Sequence, residues 1–247
     1  LADAASVFNY EIVLEPTNKP WLYALQLATI NDKELERTAT NELWLSNPAT
    51  QRIKYQVSSA LNYQTNEHEG RLKQALSLPQ GFNPKTLATA KKWRSEEATD
   101  EAYIAKVLNF YNQAFTYTLS PPKLGLHTAD EFLFSTQSGF CEHYASSFAV
   151  LMRAVGIPTR VVTGYQGGEW NAEASYLLVR QYDAHAWAEV WLEGKGWTRF
   201  DPTAAVAPDR IEQGGLLDTL SLSDQALLDS SVLPSFAWIN SLSLKWD

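Results

Sequence analysis

Residues 184–192 read AHAWAEVWL. Successive side chains of a strand point to opposite faces, so His185, Trp187, Glu189 and Trp191 share one face and Ala184, Ala186, Ala188 and Val190 the other. A face mixing an imidazole, indoles and a carboxylate suits a cleft. Further strands are expected on either side, at TRVVTGY (159–165), SYLLVR (175–180) and WTRFD (197–201), the last joined to the central run by the glycine-bearing EGKG. Upstream lies EHYASSFAVLMRAVG (142–156), which gathers Tyr144, Phe148, Leu151, Met152 and Val155 on one helical face and stops at Gly156 and Pro158.

Toward the N-terminus the pattern is that of β-structure. YEIVLE (10–15) and RIKYQV (52–57) largely alternate, PTNKP (16–20) supplies a turn, and a small antiparallel sheet is expected. From Asn83 the period changes to that of helices. Asn83-Pro84 reads as a cap and first-turn proline leading toward Arg94, and a second helix begins near Thr99 with Tyr103, Ile104, Val107, Leu108, Tyr111 and Phe115 on one face. Beyond Pro202 periodicity fades, and IEQGGLLDTLSLSDQALLDSS reads as a short helix or a linker. The expected organisation is a β-rich subdomain over 1–75, a core over 76–207 and a tail over 208–247.

Composition narrows the function. With 45% hydrophobic residues, 9 Trp, 11 Tyr and 10 Phe, the 247-residue chain can build a substantial aromatic core. A net charge of -8 argues against nucleic-acid binding, which requires a basic face. The apolar run Phe148–Met152 is far short of the roughly 20 residues that span a bilayer. The opening LADAAS has neither an initiator Met nor a signal pattern, which predicts a fragment of a longer protein.

The chain has one cysteine, Cys141, inside SGFCEHY (138–144). An intrachain disulfide is therefore excluded, and the thiol is either a small buried hydrophobe or a nucleophile. At the first turn of a helix it would sit beside unpaired N–H groups that favour thiolate. A thiolate nucleophile also needs a proton shuttle, and there are four histidines. His68 lies in the polar NEHEG stretch, His127 follows a Pro-Pro loop, and His143 lies about 200° around the helix from the thiol. His185, on the mixed face of its strand, is the strongest candidate.

Orienting that imidazole calls for a carboxylate or amide. Asp201 ends the following strand, but the simplest register through EGKG pairs it with Ala188 or Glu189. Closing a triad then needs a bulge, a shear or a leaning side chain. Each residue also has a plain structural reading: buried thiol, hydrogen-bonded core histidine, turn-forming aspartate.

Taken in order, SGFCEHYA, RVVTGY, DAHAW.EVWL and GW.RFDPT resemble the transglutaminase-core superfamily over about residues 100–205. The resemblance implies an α+β, papain-like core: a helix carrying the cysteine packed on an antiparallel sheet carrying histidine and aspartate, with the N-terminal antiparallel β subdomain beside it. By motif position Cys141 is the nucleophile, His185 the base and Asp201 the orienting acid. The implied activity is cysteine-dependent acyl transfer from a protein or peptide glutamine to a primary amine or to water. The implied location is the periplasmic domain of a bacterial inner-membrane protein, touching the membrane only through flanking segments.

The oxyanion of the tetrahedral intermediate is assigned to the backbone N–H of Cys141, with the Gln137 side chain second. Trp170, Trp187 and Trp191 are candidates to wall a channel that admits a lysine stem and limits water, and Glu189 either orients substrate or is solvated. Alternatives are a cysteine peptidase or amidase using the same triad, and a non-catalytic binding domain. No EF-hand loop or paired His/Cys metal spacing is present, so neither metal nor cofactor is expected.

Overall fold

Residues 7–29, 35–38, 40–60 and 65–209 are described by the computed structural model. They divide into two units, Leu1–Asn66 and Glu67–Asp247. The first holds β1 (Val7–Leu14), β2 (Trp21–Leu22), β3 (Ala28–Thr29), β4 (Leu35–Arg37), β5 (Leu43–Leu45) and β6 (Ile53–Ala60). Instead of the single sheet expected, these strands form two three-stranded antiparallel sheets, β1-β6-β3 and β2-β5-β4. The long pair runs from Val7 opposite Ala60 to Leu14 opposite Ile53, and Tyr55 and Val57 carry its inward face onto Leu22, Ala28 and Leu43.

The second unit opens with α1 (Glu69–Gln74). Its end is tied to that unit, because the Ala75 carbonyl accepts from the Thr159 N–H at 3.0 Å and Ser77 O from the Arg153 guanidinium at 3.0 Å. Then come α2 (Pro84–Ser95), α3 (Asp100–Ala114), β7 (Thr116–Tyr117), α4 (Thr128–Glu131), a π-turn (Phe132–Thr136), β8 (Ser138–Gly139) and α5 (Cys141–Arg153). The chain continues through β9 (Thr159–Tyr165), β10 (Glu169–Asn171), β11 (Tyr176–Leu178), β12 (Ala184–Leu192) and β13 (Gly196–Phe200). The tail from residue 210 lies outside the described residues.

Thr99 caps α3 as its sequence position predicts, its hydroxyl accepting from the Ala102 N–H at 3.2 Å. Asn83 is the N-cap residue of α2 and Pro84 its first residue, as the sequence predicts, but the Asn83 side chain makes no capping bond there. It adopts φ 53°, and its side-chain oxygen accepts the N–H groups of Ala129 and Asp130 at 2.9 and 3.3 Å. The Asp130 carboxylate returns the service, accepting from Lys85 N–H, Thr86 N–H and the Thr86 hydroxyl at 3.0, 2.6 and 2.6 Å. Proximity across 44 residues or more supplies what a local cap would have done.

β12 is the centre of the sheet β13-β12-β9. Its small-residue face receives α5: Ala188, Val190 and Leu192 share a core with Tyr144, Phe148, Leu151 and Met152. Each large apolar side chain buried there contributes about 1.5–3 kcal/mol of transfer free energy. Rings from α3 and the π-turn extend this core, with Tyr144 edge-on to Tyr111 and Phe132 at 5.6 and 5.1 Å between centroids. The expected strand at SYLLVR forms only Tyr176–Leu178 and pairs with β10 as a separate two-stranded ribbon. Among the described residues no helix is long and apolar enough to cross a membrane.

Candidate active site

The short strand before Cys141 is set by its neighbours: Ser138 and Gly139 pair in parallel with Thr116 and Tyr117. A Cβ on Gly139 would lie 2.8 Å from Cβ and Cγ of His143 and 2.9 Å from the Phe132 ring, so this close approach admits only glycine. Phe140 is the extended N-cap residue, and its N–H donates to His143 Nδ1 at 3.4 Å. His143 therefore closes the start of the helix. Burial lowers its pKa, which favours the neutral ring that can accept this bond.

Cys141 is the first residue of α5 and 3% exposed. It packs with Ala145 and with Ala186, the residue that follows His185 on β12. The start of α5 thus lies against β12 at the strand position next to His185. The next residue, Glu142, was not singled out by sequence, and burial pushes its carboxyl up to about 7.

His185 is fully buried, and its Nε2 lies 2.7 Å from Asp201 Oδ2. The register that allows this differs from the one predicted. Leu192 pairs with Gly196, so the loop has three residues, and Gly196 joins the strand with φ 82°. Phe200 then pairs with Ala188, and continuing one step sets Asp201 level with Trp187. His185 becomes its diagonal neighbour on the same face, within reach of a leaning carboxylate. The other carboxylate oxygen, Oδ1, accepts from Thr203 N–H at 3.2 Å and starts the short helical turn Pro202–Ala205.

Burial alone would raise the Asp201 pKa, but the hydrogen bond and charge of His185 and the adjacent Arg199 outweigh it and hold the carboxyl below its ordinary value. Arg199 donates to Asp201 Oδ2 at 3.2 Å and to Gln166 Oε1 at 2.7 Å, while its guanidinium carbon lies 4.4 Å from the Trp187 ring centroid. The Trp187 ring, 8% exposed, is near-parallel to His185 with centroids 6.2 Å apart. Its far edge comes within 3.0 Å of where a Cβ on Gly164 would stand, which explains the glycine in RVVTGY. Neither Arg199 nor Gln166 was identified from sequence. For Arg199 the signal was available, since it stands two residues before Asp201 and so on the same strand face.

The other sequence candidates are dispersed. Glu189 is 5% exposed rather than solvated, and Arg160 binds it through Nε at 2.8 Å and through a terminal nitrogen at 2.6 Å. Trp191 stands edge-on to Trp197 near the opposite end of β12. Trp170 is 61% exposed on the β10–β11 ribbon, opposite Leu177. Gln137 adopts φ 46°, and its amide reaches back to Leu133 O at 3.4 Å. His68 caps α1 through Nδ1, and His127 accepts the Asn83 N–H. Among the described residues no group of three or more His, Cys, Asp or Glu side chains is placed to hold a metal.

Comparison with known proteins places this geometry in context. A family model described as the transglutaminase-like superfamily matches residues 85–202, and one described as the TgpA N-terminal domain matches residues 1–66. Over 97% of its length the chain is 42% identical to a Pseudomonas aeruginosa protein named protein-glutamine gamma-glutamyltransferase, and it spans 37% of that protein's length. The crystal structure of the periplasmic domain of TgpA from Pseudomonas aeruginosa, also 42% identical, superimposes with a TM-score of 0.81 over 84% of this chain and 73% of that one. The same domain bound to ethylmercury gives 0.80 over 86% and 77%. A Bacillus subtilis protein named YebA is 39% identical over 37% of this chain and 13% of its own length.

Proposed function

The chain belongs to the transglutaminase-like superfamily, and from that premise we propose that it is a cysteine-dependent acyl transferase that takes the acyl group of a glutamine side chain and passes it to a primary amine. The observation that carries this reading is the 2.7 Å pair between His185 Nε2 and Asp201 Oδ2 on the strand that receives the start of the Cys141 helix. With Nε2 committed to the carboxylate, proton exchange with the thiol falls to Nδ1.

In the first half-reaction the Cys141 thiolate attacks the carboxamide carbon, the C–N bond breaks, and the His185 imidazolium gives its proton to the departing ammonia. A thioester on Cys141 remains. A lysine or other primary amine then attacks that thioester, losing a proton to His185 as the C–S bond breaks and the thiolate returns. Attack by water gives the glutamate side chain instead. The backbone N–H of Cys141, in the first turn of α5, is the donor assigned to the oxyanion. Gln137 is a weaker candidate, because its amide is engaged with Leu133. The buried Trp187 ring lies near-parallel to His185 and supports a water-poor site.

The likeness to a periplasmic domain supports a bacterial periplasmic location, with attachment to the inner membrane through segments outside this chain. The test is to mix the domain with a glutamine-bearing protein and a labelled primary amine. Label should enter the protein as ammonia is released, and Cys141→Ala should abolish both. Peptide-bond cleavage with no amine incorporated would replace this reading with that of a peptidase.

A further inference from the structure

We propose that Arg199 is a positioning residue of the His185–Asp201 pair, a guanidinium strut that holds the carboxylate on the imidazole and limits how strongly that pair retains a proton. The inference rests on the acyl-transfer reading above for the role of His185, and on geometry for the rest.

Three contacts fix the guanidinium at once. It donates to Asp201 Oδ2 at 3.2 Å and to Gln166 Oε1 at 2.7 Å, and it lies over the Trp187 ring at 4.4 Å. Asp201 Oδ2 is the same oxygen that His185 Nε2 meets at 2.7 Å. One carboxylate oxygen is thus shared between a permanent cation and an imidazole that becomes a cation during turnover. Both bonds leave one terminal nitrogen while the guanidinium carbon sits over the indole; a lysine ammonium could donate to the same two oxygens but would lose the delocalised cation over the ring. The stack also fixes Trp187, whose ring in turn lies beside His185.

The shared oxygen has an electrostatic consequence. Arg199 draws charge from the carboxylate and opposes a second cation on His185, so His185 releases its proton at lower pH than it would beside Asp201 alone. Release is needed when the amine attacks, because neutral His185 then accepts the proton. The charged and titratable groups on the elements around His185 include Cys141, Glu142 and His143 at the start of α5, Tyr165 on β9, Tyr182 and Asp183 before β12, Glu189 with its partner Arg160, and Asp201 with Arg199. The Asp183 carboxylate receives the Arg180 N–H at 2.8 Å, and Glu189 is bonded to Arg160, so Arg199 is the cation in contact with the Asp201 oxygen that holds His185.

The test compares Arg199→Gln, Arg199→Lys and Gln166→Leu with the parent by amine-transfer kinetics and by NMR titration of the His185 ring. Arg199→Gln should lower kcat about tenfold with little change in KM for the glutamine donor, and should raise the pH at which the His185 ring loses its proton by about one unit. Arg199→Lys should keep the titration near the parent's and recover part of kcat. Gln166→Leu should lower kcat without moving the titration. An unchanged His185 titration in folded Arg199→Gln, or full kcat in that variant, overturns the proposal. The titration needs no substrate, so a parent domain that transfers no amine would sink the reaction assigned above and leave the Arg199 result readable.

Discussion

The two faces of β12 are built on opposite rules. One presents Ala184, Ala186, Ala188, Val190 and Leu192, and nothing on it can ionise. Its lack of bulk lets α5 approach, so that Cys141 meets Ala186 and Phe148 shares a core with Ala188 and Val190. The other face carries His185, Trp187 and Glu189, each joined laterally to a charged partner: Asp201, Arg199 and Arg160. One face is defined by volume, the other by directed bonds. A volume change on the first face should act on stability and only through it on activity, whereas an isosteric change on the second should act on activity with the fold intact.

The sharpest test of that division is Asp201→Asn, which keeps shape and removes charge. It should reduce amine transfer by roughly three to four orders of magnitude, as expected when the orienting acid of a triad is neutralised, with thermal unfolding close to the parent's. A loss of activity matched by a collapse in thermal stability would break the division, since both faces would then be structural. On the helix side, Ala186→Leu should cost about 1–3 kcal/mol by overpacking, read as a lower denaturant midpoint, and should slow alkylation of Cys141 by displacing it. Normal stability in that variant would show that the helix does not need the small face.

The smallest effect is a pH dependence at the start of α5. Burial raises Glu142 to about 7 from an ordinary value of 4.5. A carboxyl raised on folding adds stability below its unfolded pKa, and that advantage is lost as pH rises through the folded value. Glu142→Gln should therefore gain a few degrees in Tm at pH 8 relative to the parent and little at pH 5. An equal change at both values would mean that Glu142 does not titrate between them.

Much of this was legible because it is periodic. The nine residues of β12 and the helix after Phe140 follow from alternation and from a 3.6-residue face with a glycine stop. Turn chemistry was the obstacle at Asp201: reading EGKG as a four-residue loop leaves the acid one step short, whereas Gly196, at a positive φ, belongs to the strand. Alternation also placed Trp187, Glu189 and Trp191 on one face without revealing their lateral partners, because those partners come from β9, β13 and the loop holding Gln166. Asn83 stands at the N-cap of α2 as the Asn-Pro pair predicts, but its side chain serves another helix. Its true target, the start of α4, lies in a part of the chain that only tertiary structure brings near.

That exchange between Asn83 and Asp130 bears on how the molecule opens. α2 receives no side-chain bond from its own N-cap residue, and α4 is four residues long, too short to persist alone in water. Each helix is completed by a side chain that belongs to the other, so neither can fray without exposing the other's first turn. The amides of Lys85, Thr86, Ala129 and Asp130 should then exchange with deuterium at a common rate, as one cooperative unit. Replacing Asn83 with Ala should speed exchange at all four positions, including the two to which Asn83 makes no bond.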